Sequence, residues 1–122
     1  MSAVAFLAPP PGLAPHLAFA LDRIDGADGL FALTAVDDPD VRLFAVDPAV
    51  VVPDYAPVLS DAQADDLGLR TAEEAQLLVV ARMTDEGMGV NLLAPVVINT
   101  RTGEAAQVIL EGQDLPVRAL LG

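Results

Sequence analysis

Apolar and polar positions separate first along residues 41–47, VRLFAVD. Val41, Leu43 and Ala45 fall on one side and Arg42, Phe44 and Val46 on the other. A period of two is that of a β-strand, whose successive side chains point to opposite faces. Residues 17–24 (LAFALDRI) and 30–35 (LFALTA) read as two further strands. The DGADG segment between them predicts a turn, and so a hairpin. DDPD at 37–40 predicts the next turn, with Pro39 supplying a fixed φ. Pro48 and Pro53 then bracket a short apolar piece, AVVV, that leads to Asp54 and Tyr55.

Residues 60–67 predict the one helix of the chain. Ser60 can accept from the first turn, and Gln63 three residues later completes a capping box. Asp61 sits where the helix dipole favours a negative charge, and Gly68 stops the helix. About two turns cannot be stable alone, so this helix must dock on a sheet. AQLLVVAR at 75–82 is apolar on both sides, which predicts a strand covered on both faces. TDEGMG at 84–89 predicts a turn. VNLLAPVVINT follows, with Pro95 in its middle; proline cannot donate to a ladder, so this strand is expected to be bulged, bent or at an edge there. RTG at 101–103 turns the chain, and residues 104–110 are expected to return antiparallel. At the two ends, residues 1–16 form a Pro-rich opening in which AVAFLA predicts a short edge strand, and LPVRALL closes the chain. The fold class is therefore all-β, a sandwich or small barrel of about seven to nine short strands with one short helix.

Length supports this reading, because 122 residues suffice for one domain with an adequate core. Hydrophobic residues are 53% of the chain but aromatic ones only 4%, so the core is expected to be aliphatic. Charge changes the picture more. Eighteen acidic residues stand against six basic ones, all arginine, for a net −12. Eleven aspartates fall within residues 22–66, against Arg23 and Arg42. Such acidity opposes nucleic-acid binding, where each phosphate contact needs a cation. It favours either plain solubility or the steering of a basic partner. It also favours a monomer. No stretch is long and apolar enough to span a bilayer, and the basic start of a signal peptide is missing, so a cytoplasmic protein is expected.

Candidate chemistry is sparse. Cysteine is absent and His16 is the only histidine, so a zinc site lacks ligands. The acidic clusters Asp37-Asp38-Pro39-Asp40, Asp65-Asp66 and Glu73-Glu74 lie in turns and helix ends, where carboxylates normally stay solvated. DGADG and DDPD lack the full spacing of a calcium loop. The two serines, Ser2 and Ser60, sit in no nucleophile motif, and no phosphate-binding glycine motif is present. No enzyme and no cofactor are expected. A small-ligand-binding barrel remains the rival to a protein-binding one, although near-continuous apolar strands offer few polar groups to aim inward.

VNLLAPVVINTRTGEAAQVIL at 90–110 resembles the signature of the flagellar assembly factor FliW family, N-L-x-A-P-[IV]-x-[IV]-N followed by a turn and Q-V-[IL]-L. Asn91, Leu92, Ala94, Pro95, Val96, Ile98, Asn99 and Gln107 fall on it. FAVDPAVVVPDY at 44–55 is similar to the family's F-x-V-x-D-P…P-x-Y segment, at Phe44, Asp47, Pro48, Pro53 and Tyr55. The likeness covers roughly residues 30–120. It departs at the start, where FLAPPPGLAPHLAF replaces the family's G-[IL]-P-G-F-like turn and keeps only Gly12 and Phe19.

The resemblance implies an antiparallel β-barrel-like domain over residues 1–122 that is not an enzyme and binds two proteins. One is flagellin, held in the cytoplasm before export. The other is CsrA, a small basic translational regulator that FliW sequesters once flagellin leaves. Candidate partner contacts are Tyr55, Asp47, Asn91, Pro95 and Asn99, with the acidic Asp37, Asp38, Asp40, Asp65 and Asp66 for the basic partner. For Asn91, Pro95 and Asn99 the competing reading is architectural: a bulge proline flanked by asparagines that bond to the backbone.

Overall fold

The computed structural model describes residues 2–10, 13–26, 29–51, 57, 59–85, 87–92, 94–110 and 118–121. Its strands are β1 (Ser2–Phe6), β2 (Ala18–Arg23), β3 (Leu30–Ala35), β4 (Arg42–Val46), β5 (Ala75–Thr84), β6 (Gly87–Asn91), β7 (Val96–Asn99), β8 (Glu104–Gln107) and β9 (Arg118–Leu121). Their order is β4-β3-β2-β1-β8-β7-β5-β6-β9, and an extra β4–β5 pairing closes seven of them into a barrel. β6 and β9 extend outward from the far half of β5.

The predicted hairpins form as read. β2 pairs with β3 from Phe19↔Ala35 to Arg23↔Phe31, and β3 with β4 from Leu30↔Val46 to Thr34↔Arg42. β8 returns antiparallel along β7. The expected irregularity near Pro95 is also present. Between the pairs Ala81↔Val90 and Leu78↔Val96, β5 advances three residues and its partner six. β6 and β7 are thus one long strand interrupted by a three-residue bulge. Bonds from β8 and the segment after it satisfy this bulge: Val108 N–H donates to the Pro95 carbonyl at 2.9 Å, and Gln107 Nε2 to the Ala94 carbonyl at 3.0 Å.

Three expectations need correction. The N-terminal strand is not an edge, because β1 pairs with β2 on one side and β8 on the other. Its pairing with β8 is parallel, so the barrel is not purely antiparallel. Helical structure also exceeds one helix. Pro48–Val51 forms a single turn, α1, and Ala72–Glu74 a 3₁₀ turn, beside the predicted helix α2 (Asp61–Asp66). The reason for α1 is local. Asp47 Oδ1 accepts from Ala49 N–H at 3.0 Å, an N-terminal cap, and proline is at home in the first turn.

The barrel interior is one apolar cluster of Val4, Phe6, Phe19, Leu21, Leu33, Ala35, Ala45, Leu78, Val96, Ile98 and Ala105. It is mainly aliphatic, but two of the four phenylalanines meet in it edge to face, with ring centroids 5.3 Å apart. Alternation sends the neighbouring residues outward, onto two outer clusters. Val46, Val79, Ala81, Val90 and Leu92 form one, under β6. Val97, Val108, Leu110 and Leu67 form the other, with Leu59, Leu69, Leu77 and Ala106 packed against it. β5 supplies adjacent residues to opposite faces, Leu78 and Val79, both fully buried. This is the strand covered on both sides that its sequence predicts.

Candidate interaction site

α2 and the segment after it cover the second outer cluster. The capping box is complete: Gln63 N–H donates to Ser60 Oγ at 3.1 Å, and Ser60 N–H to Gln63 Oε1 at 2.9 Å. Leu67, the residue after the helix, is almost wholly buried. Burying a leucine contributes about 1.5–3 kcal/mol, which is what a helix this short needs. Gly68 leaves the helix at φ +66°, a conformation that glycine adopts without strain.

The β7–β8 turn holds the end of this helix. Asn99 is fully buried, donates from Nδ2 to the Leu67 carbonyl at 2.8 Å, and accepts from the N–H groups of Arg101 and Thr102 at 2.9 and 3.3 Å. Arg101 donates from Nη2 to the Gly68 carbonyl at 2.8 Å and from Nε to Glu74 Oε2 at 2.9 Å. Glu74 Oε1 accepts from Arg70 N–H at 2.7 Å. That backbone bond, reinforced by Arg101, holds the Glu74 carboxyl below its ordinary pKa despite some loss of solvent. Two carbonyls left over at a helix end are thus satisfied by side chains from a distant turn.

Beside α2 the barrel wall opens. β1 and β8 run in parallel, with Ala5 N–H donating to the Gly103 carbonyl at 2.9 Å and Leu7 N–H to the Ala105 carbonyl at 2.8 Å. The next donor in that two-residue step is position 9, and Pro9 has no N–H. The pairing has already ended, since no bond from the Gln107 N–H to the Leu7 carbonyl follows among the described residues, and Pro9 keeps it from resuming. A groove of about 410 Å³ results, lined by Leu7, Ala8 and Pro9 on one side, Ala106–Ile109 on the other, and Gln63, Asp66 and Leu67 of the helix segment. Leu7 is 43% exposed and Ile109 66% exposed, a high value for large apolar side chains. Gln63 Nε2 donates to the Ile109 carbonyl at 3.1 Å and fixes that rim to α2.

The sequence-predicted contact residues scatter across the molecule. Pro95 and Asn99, offered as partner contacts, are both buried, Pro95 in the bulge with its carbonyl accepting from Val108 and Asn99 bonded to the end of α2. Asn91 is half-buried in β6, opposite Arg118 of β9. Asp47 is half-buried as the cap of α1. Asp37, Asp38 and Asp40 form the β3–β4 turn, in which Asp38 Oδ1 accepts from Asp40 N–H at 3.1 Å. Asp65 and Asp66 are exposed on α2, and of all these residues Asp66 lines the groove. Tyr55 lies outside the described residues. The place of the groove, at the end of the β1–β8 pairing, was not foreseen, although the prolines beside it were visible. Among the described residues, no three histidine, aspartate or glutamate side chains gather as a metal site, and no helix is long and apolar enough to cross a membrane.

Fold and surface together define a small closed barrel with a packed interior and an open outer seam. The FliW protein family matches residues 2–121, so the chain belongs to that family. It is 35% identical over 92 residues to the flagellar assembly factor FliW of Pseudothermotoga lettingae, covering 73% of this chain and 59% of that protein. It is 33% identical over 103 residues to the factor of the same name from Heliobacterium modesticaldum, covering 83% and 67%. The Thermotoga neapolitana factor is 35% identical over 92 residues, covering 73% and 62%. The chain therefore spans about three-fifths to two-thirds of the length of these relatives. A crystal structure of the flagellar assembly factor FliW matches with a TM-score of 0.88 over 97% of this chain and 84% of that one, at 24% identity, and shows the shared fold.

Proposed function

We propose that this protein is a flagellar assembly factor that works by binding proteins in the cytoplasm, without catalysis. It holds flagellin as a chaperone and antagonises the translational regulator CsrA, so that flagellin level controls flagellin synthesis. Membership of the FliW family over residues 2–121 carries this reading. The acidic surface supports its second half. A net −12 attracts a small basic protein over a distance and repels the RNA such a protein would carry. Asp37, Asp38 and Asp40 at one turn, and Asp61, Asp65 and Asp66 on α2, present that charge to solvent or nearly so. The rival small-ligand barrel loses support because Phe6, Phe19, Leu33 and Leu78 fill the interior.

The test is capture by the tagged chain from its native cytosol at about 50 mM and about 500 mM salt, with mass spectrometry of the bound proteins. Flagellin is expected in both eluates, and CsrA in the low-salt eluate only. Capture of neither at either salt removes this function.

A further inference from the structure

We infer that the open seam between β1 and β8 receives a short extended apolar segment of a partner protein that carries a basic residue. Three features converge on that occupant. The first is the backbone. Carbonyls of Gly103 and Ala105 point at β1, and alternation along a strand puts the backbone groups of Gln107 on the same edge. No further backbone bond crosses this seam among the described residues after Leu7. Gln107 therefore offers an N–H and a carbonyl where the neighbouring strand has turned away. An added strand uses such groups, and takes its specificity from pockets for alternate side chains.

The second feature is the apolar lining. Leu67 and Val108 are buried beneath the groove, while Leu7 and Ile109 stand exposed at its rims. Side chains on one face of an extended segment would cover them. The third is charge. Asp66 lines the groove, Asp61 and Asp65 share its helix, and that helix bears no basic residue. A lysine or arginine on the incoming segment is matched there, and an acidic one is rejected.

This inference rests on the reading that the protein acts by binding other proteins, but not on which proteins those are. The deciding experiment uses the full chain as bait for a displayed library of random peptides about ten residues long. Enriched peptides are expected to alternate apolar residues and to include a lysine or arginine. Ile109→Glu, at an exposed rim, should weaken them by about tenfold or more, and Asp66→Lys several-fold with loss of salt dependence. Asp37→Lys, at the β3–β4 turn, should leave them unchanged. Hydrogen exchange at the Gln107 amide should slow when a selected peptide is bound. Thermal unfolding of both seam variants separates lost binding from lost folding. Failure to enrich any peptide, or peptides that bind folded Ile109→Glu and Asp66→Lys as well as the unaltered chain, overturns the seam as a docking site. Capture of flagellin and CsrA by the unaltered chain is scored separately and reports on the functional reading alone.

Discussion

At the α2 wall, polar side chains reach across the fold. Asn99 bonds to a carbonyl 32 residues away in sequence, and Arg101 to one 33 residues away. At the β3–β4 turn, Asp38 bonds to Asp40, two residues on. The first region spends its polar groups on holding a helix to a barrel; the second spends its own on a local turn. Charge at the turn is thus available to a partner without loss to the fold, whereas polar groups at the wall are not. The two regions also explain why polarity alone is a poor guide to binding surfaces. Asn99 resembles a surface residue by type and is fully buried, while Ile109 resembles core and is mostly exposed.

Substitutions can break this contrast. Leu67→Ala removes the apolar plug beneath α2 and should cost about 2–5 kcal/mol, read from the denaturation midpoint. Asn99→Ala strips a buried partner from the Leu67 carbonyl and should cost about 1–3 kcal/mol. Because both act on one junction, the double variant should lose less than the sum of the singles; simple additivity would mean that the helix is not held there.

Glu74→Gln sharpens the contrast through pH. The native carboxyl titrates below its ordinary value. Its contribution to stability is therefore present above that ordinary value and is lost as pH falls through the native one. The variant should show a flatter acid limb of stability against pH than the unaltered chain. Parallel limbs would remove Glu74 from the junction's energetics. The smallest effect on the fold is expected at the other region. Replacing Asp37, Asp38 and Asp40 together by asparagine keeps an oxygen for the turn, and should shift stability by no more than about 0.5 kcal/mol per site. The same variant should reduce the salt dependence of the proposed binding to CsrA, measured by calorimetry at two ionic strengths.

Much of the architecture was legible because it is local. The hairpin from Ala18 to Ala35 follows from alternation and a glycine-rich turn, and α2 from Ser60 and Gln63. Pro95 announced the bulge because a missing N–H cannot be compensated within a ladder. α1 was missed because its cap, Asp47, read as a strand end, and one-turn helices leave no periodicity. The burial of Pro95 and Asn99 was not legible because exposure is not a local property.

The sequence by itself determined most of the strands though not their ends, where the short helix begins and stops, and that the chain is strongly acidic. Each of these depends on neighbours within a few residues or on a sum over the chain. Only the tertiary structure decided that β1 lies between β2 and β8, that the barrel closes through a parallel pair, and that Asn99 and Arg101 bind the end of α2. These depend on contacts across most of the chain, whose partners no local pattern names. The seam beside Pro9 needed both: a proline bars the ladder from resuming, and the fold sets which strand is left with an open edge.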